Sequence, residues 1–388
     1  MAFVKKQPNG RWRARWRDPQ GRARSRNFAR KVDAEQFLTK MENSKLVGAY
    51  VDPAGGRMLF ETWVAQWRAG IVDLRPSTLA RDLGYVDRYL VPTFGGMKLG
   101  EITHAQVRAW VAELSVQKRK PSKNAPKDQP AVTLAPATVV CAVGLMKKIM
   151  ATAVTAGLIA SSPCVGIKVP RIEREEMRFL APAEISALAD AIDRQYQALV
   201  LLGAYGGLRI GEMLGLRAKS VDLLRGHVDV SEILVEVSGH LHHGPPKTRA
   251  GRRVVPLPRV VVDALADHLR MHPASPEDLV FRAPEGGPVR LAAWRRRVWA
   301  KAVGKAGLTP LRPHDLRHSA VGLWIAAGAS PKEIATRAGH TSVSFTLDRY
   351  GHLLPGTEQR VNDALDALAG GKTEGVGGAT ITAIEKAR

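Results

Sequence analysis

Four short stretches in this 388-residue chain hold the side chains best able to do chemistry. The first, Tyr205-Gly206-Gly207-Leu208-Arg209-Ile210-Gly211-Glu212-Met213-Leu214-Gly215-Leu216, sets one arginine among glycines, which alone says only that helices approach closely there. The second runs from Pro246 to Leu257 and puts Lys247 on a turn leading into an apolar strand; alone it reads as a solvated hairpin. The third is Leu311-Arg312-Pro313-His314-Asp315-Leu316-Arg317-His318, whose spacing places His314, Arg317 and His318 on one helix face. The fourth is Ala338-Gly339-His340-Thr341-Ser342, followed on the next helix by Asp348-Arg349-Tyr350-Gly351-His352. Two histidines four apart also have a metal-ligand spacing, and His240, His242 and His243 are similarly tempting. No Glu-x-x-His partner or Cys cluster accompanies either group, so neither a metal nor any other cofactor is expected.

In this order the four stretches resemble the tyrosine recombinase (phage-type integrase) family. Arg209, Lys247, His314, Arg317, His340 and Tyr350 match all six positions of that family's active-site signature, each in its expected local motif. The resemblance spans essentially all of residues 177–357, and no departure replaces a reactive residue. It implies a phosphoryl-transfer enzyme. Arg209 and Arg317 would clamp the non-bridging oxygens, because planar guanidinium forks suit them better than a point charge does. His340 would be a further donor, Tyr350 the nucleophile that forms a covalent link to a DNA 3′ end, His314 the base, and Lys247 the acid for the departing 5′ oxygen. Glu212 fits the motif as a buttress or as a surface residue, and Asp315 and His318 read as structural. Tyr50, Tyr85, Tyr89, Tyr196 and Tyr205 lie outside the His340-to-Tyr350 context and read as packing or surface.

The resemblance further implies site-specific recombination for a phage or integrative element in the cytoplasm of a bacterial host, on the nucleoid. It implies four protomers on two DNA duplexes, no ATP or metal, and a host DNA-bending protein and an excision factor as additional partners. Two other readings stay open: a basic DNA-binding protein without chemistry, and an enzyme like a type IB topoisomerase.

The formal net charge of +22 favours a polyanionic partner, nucleic acid foremost. It fits binding and catalysis equally. The first 31 residues alone carry eight Arg and three Lys against the single acid Asp18. Here Arg11-Trp12-Arg13-Ala14-Arg15-Trp16-Arg17 alternates strictly, so Trp12, Ala14 and Trp16 face one way and the arginines the other. Arg22, Arg24 and Arg26 alternate again after the turn Asp18-Pro19-Gln20-Gly21. All seven arginines are expected to touch DNA. Asp33 with Gln36 resembles a capping box opening a helix that carries Phe37, Leu38 and Met41.

The rest of the chain must position these groups. Residues 1–56 read as a small β-sheet plus one helix, an arm-type DNA-binding domain by the resemblance. Residues 57–165 read as an all-α core-binding domain, with stripes at Phe60, Trp63, Val64 and Trp67, at Leu79, Leu83, Val86 and Leu90, and at Val107, Trp110, Val111 and Leu114. Thr103 is an expected N-cap, Gln117–Pro136 a loop, and Ala137–Ala156 a further helix. After a charged linker at Arg171–Glu176, residues 177–370 read as a mixed α+β, mainly helical catalytic domain, and 371–388 as a flexible tail. Val361, Ala364, Leu365 and Leu368 give a last amphipathic stripe that could dock in cis or in trans. No apolar run is expected to reach the roughly 18–20 residues of a membrane span. No signal peptide precedes the basic start, and Cys141 and Cys164 form no disulfide framework, so a reducing compartment is expected.

Overall fold

The alternating arginine segment does form a strand. The computed structural model describes residues 2–19, 21–46, 51, 55–118, 132–173, 177–353, 362–363, 365–367 and 369. The chain divides into two compact units, residues 1–175 and 176–388. Strands β1 (Phe3–Lys6), β2 (Trp12–Arg17) and β3 (Ala23–Phe28) make an antiparallel sheet with β2 in the centre. Ala14 and Trp16 bury against Ala34 and Leu38 of helix α1 (Lys31–Leu46). That helix begins two residues before the expected cap: Asp33 lies inside the first turn, paired with Arg30 at 3.1 Å.

The remainder of the first unit is helical: α2 (Phe60–Ala69), α3 (Pro76–Tyr85), a π turn at Val86–Leu90, α4 (Val91–Phe94), α5 (His104–Val116) and α6 (Pro136–Thr155). Thr103 caps α5 in a reciprocal box with Gln106, as its position predicts. The aromatic stripes on α2 and α5 form the core with α6, while Leu79 and Leu83 are half-buried. Helix α6 corrects one expectation, because it is long and apolar enough, by length and composition, to cross a membrane. The Lys147-Lys148 pair that interrupts the apolar run hid this in the sequence. Val139, Ala142, Val143, Met146, Ile149, Met150 and Ala153 are nevertheless buried against the neighbouring helices, so the helix serves as the centre of a protein core.

In the second unit, α7 (Pro182–Ala191), α8 (Gln197–Gly206) and α9 (Ile210–Leu214) precede strands β4 (Val221–Asp222), β5 (His227–Val230), β6 (Ile233–Val237), β7 (His240–Gly244) and β8 (Arg253–Pro256). The strand-like run from His227 to Val237 is two strands in two different sheets, β4-β5-β8 and β6-β7. Helices α10 (Arg259–Met271), α11 (Leu291–Trp294), α12 (Ala300–Lys305), α13 (Pro313–Ala326), α14 (Pro331–Ala338) and α15 (Val343–Tyr350) complete it. The core centres on α8, apolar on nearly every face, with α13 packed along it. Tyr50, residues 174–176, most of the 117–136 loop, Val361, Ala364, Leu368 and the tail from Gly370 lie outside the described residues. Leu365 is described and exposed.

Two left-handed glycines set the geometry around the chemical residues. Gly207 (φ +67°) ends α8, and a Cβ there would lie 2.5 Å from the Trp324 ring of α13. Gly339 (φ +64°) ends α14 in a Schellman motif, with Gly339 N–H donating to Thr336 O and His340 N–H to Ala335 O. Gly207→Ala should therefore cost about 2–4 kcal/mol, strain plus overpacking. Gly286, also left-handed but with open space around it, should lose only about 1 kcal/mol as alanine. Urea unfolding of both variants checks this, and equal losses would contradict the Trp324 contact.

Candidate active site

Arg317 is, with Tyr350, the most deeply placed of the expected chemical residues. It projects from the second turn of α13, and only 3% of its surface is exposed. Nη1 donates to Gly207 O at 2.7 Å and Nη2 to Ala338 O. The left-handed ends of α8 and α14 thus supply the carbonyls that hold it. Arg209 caps α9 from the other side: Nη1 donates to Glu212 Oε1 at 2.8 Å and Nη2 to Gly339 O at 3.2 Å. Both guanidiniums consequently converge on the same short loop, Ala338–His340.

Glu212, 2% exposed, is shared. It also accepts from the Arg209 backbone N–H and, at 3.0 and 3.3 Å, from both terminal nitrogens of Arg253. Arg253 was not singled out in the sequence, yet it ties three chemical segments together. Besides Glu212 it donates to Gly251 O, on the turn carrying Lys247, and to Arg337 O in the last turn of α14. One signal was readable: in β8 Arg253 and Val255 are buried while Val254 and Pro256 are exposed, so a charged residue occupies an inward strand position. Burial would raise the Glu212 carboxyl, but the hydrogen bonds and charge of Arg253, then the charge of Arg209, outweigh it and hold the group below the usual carboxylate range.

His340 donates or accepts through Nδ1 at 2.8 Å from Thr346 Oγ1, and its ring lies parallel to that of Tyr350 with centroids 6.2 Å apart. Tyr350, last residue of α15, is 3% exposed. Its hydroxyl sits 2.7 Å from His318 Nδ1. His314, expected to be the base, is exposed and meets His318 edge-on at 4.8 Å. The histidine touching the phenol is therefore the one four residues on, a contact that only the packing of α15 on α13 could reveal. Lys247 is exposed between β7 and Arg249, with no hydrogen bond or ion pair among the described residues. The structure thus gathers Arg209, Arg317, His340 and Tyr350 with His314 at the rim, and leaves the Lys247 side chain exposed on its turn.

The electrostatics are lopsided. Among the described residues Glu212 is the one carboxylate bonded to Arg209, Arg253 or Arg317. Burial, then the charge of Arg209, lowers the Arg317 guanidinium to about 9. Burial, then Arg317 and Arg209, lowers His340 to about 3, and burial, then His314, lowers His318 to about 4. His314 is lowered by partial desolvation and by Arg317 and Arg209. Burial raises the Tyr350 phenol against the pull of Arg317, Arg349 and Arg209. Surplus positive charge around neutral imidazoles and a protonated phenol is a site for an anion whose oxygens accept from several sides. Among the described residues no group of three or more His, Cys, Asp or Glu is placed to hold a metal.

The N-terminal arginines divide in an unexpected way. Lys5, Arg13, Arg15 and Arg17 share the outer sheet face, where Arg13 also donates to Asn27 at 3.0 Å. Arg11 and Arg22 are exposed beside the strands. Arg24 and Arg26, however, lie directly opposite Trp16 and Ala14 and so face α1. Arg24 pairs with buried Asp18 at 3.2 Å, and Arg26 stacks over Phe28 and Phe37. Alternation within each run was visible in the sequence; the phase between the runs is set by strand pairing and was not.

Residues 178–356 match the phage integrase family, residues 3–47 a phage integrase N-terminal domain and residues 59–115 a phage integrase N-terminal SAM-like domain. The chain is 30% identical over 376 residues to a putative prophage phiRv2 integrase of Mycobacterium tuberculosis, covering 93% of this chain and 94% of that one. It is 26% identical over 385 residues to the integrase of Mycobacterium phage L5, covering 94% and 97%. Its fold is similar to that of a Tn1549 transposon integrase in complex with transposon right end DNA (TM-score 0.62, 19% identity, 80% of this chain and 100% of that one). It is also similar to that of a lambda integrase dimer bound to a core site (TM-score 0.56, 14% identity, 89% and 93%).

Removing Arg253 leaves a buried carboxylate with Arg209 as its one charged partner among the described residues, so Arg253→Ala should cost about 3 kcal/mol at pH 8. In the wild type the depressed Glu212 pKa contributes stability above its unfolded value, lost as pH falls through the folded one. In the variant, burial is opposed by Arg209 alone and raises that pKa, so the penalty should shrink when unfolding is repeated at pH 5. A penalty independent of pH would contradict the pairing.

Proposed function

The chain belongs to the phage integrase family and is a tyrosine site-specific recombinase acting on double-stranded DNA, and we propose that Tyr350 is the nucleophile that cuts and rejoins each strand. The observation that carries this reading is the convergence of a buried phenol with two guanidiniums and an imidazole around a surplus of positive charge. Arg209 and Arg317 bind the non-bridging oxygens of the scissile phosphodiester, and the negative charge that grows there in the transition state finds donors already in position. His340, with Nδ1 held by Thr346, turns Nε2 toward the same phosphoryl group. The phenolic oxygen attacks phosphorus, a 3′-phosphotyrosyl bond replaces the P–O5′ bond, and Lys247 protonates the departing 5′ oxygen from its exposed turn. The family resemblance assigns the base to His314, which stands at the rim, whereas the phenol itself touches His318.

The phosphotyrosyl linkage keeps the energy of the broken bond, so rejoining calls on no ATP, and guanidiniums meet the charge a metal would otherwise neutralise. Four such chains acting on two duplexes would exchange strands in pairs, with a host DNA-bending protein and an excision factor setting direction. Such a complex acts on the bacterial nucleoid, in the cytoplasm. Residues 1–56 would hold a separate arm-type site through the outer sheet face.

Incubated with nicked core duplexes selected from a random pool by binding, the wild-type chain should form a covalent DNA adduct, and Tyr350→Phe should form none. A binding-only protein would give no adduct from either. For arm-type duplexes, replacing Arg13, Arg15 and Arg17 by alanine should flatten the slope of log affinity against log salt by about 2–3, near 0.9 per phosphate contact. Arg24→Ala with Arg26→Ala should leave that slope within about 0.5 of wild type, Arg24 being paired with Asp18 and Arg26 stacked over Phe28 and Phe37. Equal changes in both variants would contradict the two-face assignment.

A further inference from the structure

Tyr350 needs somewhere to send its proton. Its hydroxyl is buried in the last turn of α15, and the polar side-chain atom at hydrogen-bond distance is His318 Nδ1, 2.7 Å away on α13. The phenol is flanked on its other side by the parallel ring of His340, whose Nδ1 is engaged by Thr346. His314 stands exposed and touches His318 edge-on.

We propose that His318 is the proton acceptor for Tyr350: the Nε2–H tautomer presents the Nδ1 lone pair to the phenolic O–H and takes its proton as the oxygen bonds to phosphorus. This rests on Tyr350 as the nucleophile. The Tyr350 O–H bond breaks and its proton passes to Nδ1. The P–Oη bond forms, and the P–O5′ bond breaks with its electron pair on O5′, which takes a proton from Lys247. On rejoining, the imidazolium of His318 returns the proton to the phenol. His318 is then a catalytic residue, and His314 serves at its edge.

The surroundings favour this role. The groups facing His318 are His314, Asp315 and Arg317 on its own helix, Tyr350 and Arg349 on α15, and His340 on the loop after α14. Burial and this mainly positive field keep the imidazole neutral at neutral pH, free to accept. A bound phosphodiester would offset the charge of Arg317, weakening part of the field that opposes protonation. The acceptor gains basicity as the substrate arrives. The same neutralisation removes the arginine charges that draw the Tyr350 phenol toward ionisation, which makes an acceptor in contact more necessary.

The test measures covalent adduct formation by the full chain on the selected nicked duplex, for His318→Phe, His318→Gln and His314→Gln. Each is prepared with tyrosine or with a fluorinated tyrosine, whose phenol ionises more readily, at position 350. DNA affinity is measured first, and His318→Gln, which keeps size and a polar end, replaces the phenylalanine variant if that one fails to bind. General-base loss should slow adduct formation by at least about 100-fold in the His318 variant, and the fluorinated phenol should recover at least tenfold of it. His314→Gln should show a smaller loss and no such recovery. A His318 variant that reacts at the wild-type rate overturns the proposal. So does one whose defect is untouched by the fluorinated phenol, or recovery confined to His314→Gln. An adduct from Tyr350→Phe would instead sink the nucleophile assignment itself.

Discussion

A buried guanidinium held only by carbonyl oxygens governs the architecture of the catalytic unit. Arg317 bonds Gly207 and Ala338 and pairs with no carboxylate among the described residues. Taking such a charge out of water costs several kcal/mol unless partners compensate. The fold meets that cost partly by turning two helix ends toward it, which is why left-handed glycines close both α8 and α14. The balance is left for a ligand. Arg209 adds a second fork on the same loop, and Glu212 with Arg253 fixes that fork without cancelling the total. A site built this way is stable enough to fold but electrostatically incomplete until an anion enters.

That incompleteness explains the state of the titratable groups. The imidazoles of His318 and His340 are kept neutral, and the Tyr350 phenol stays protonated despite three arginines near it. The resting site therefore holds a protonated phenol beside neutral imidazoles. On the proposed reading, a phosphodiester would fill the charge deficit and change the relative basicity of its neighbours in the same electrostatic event.

Much of this was legible before any coordinates. The six signature residues sit in local motifs whose order alone carries the family, and Thr103, the α6 segment and the aromatic stripes follow from capping and periodicity. What was not legible depends on pairing between distant segments. Arg24 and Arg26 share the α1 side of the sheet because β3 registers against β2 with Trp16 and Ala14 opposite them. His318 meets Tyr350 because α15 packs on α13, thirty-two residues away in sequence. Arg253 was not singled out, although its inward strand parity marks it as different. Helix α6 shows the reverse limit, since its composition suits a membrane as well as the core it occupies.

The most direct measurement is tandem mass spectrometry of the peptide left attached to DNA when the wild-type chain is trapped on a nicked core duplex and digested. The mass of a nucleotide 3′-phosphate on the Tyr350 peptide is the expected result. Nucleotide on any other residue, or no linked peptide from a protein that binds the duplex fully, would contradict the assignment of the buried phenol as the group that attacks phosphorus.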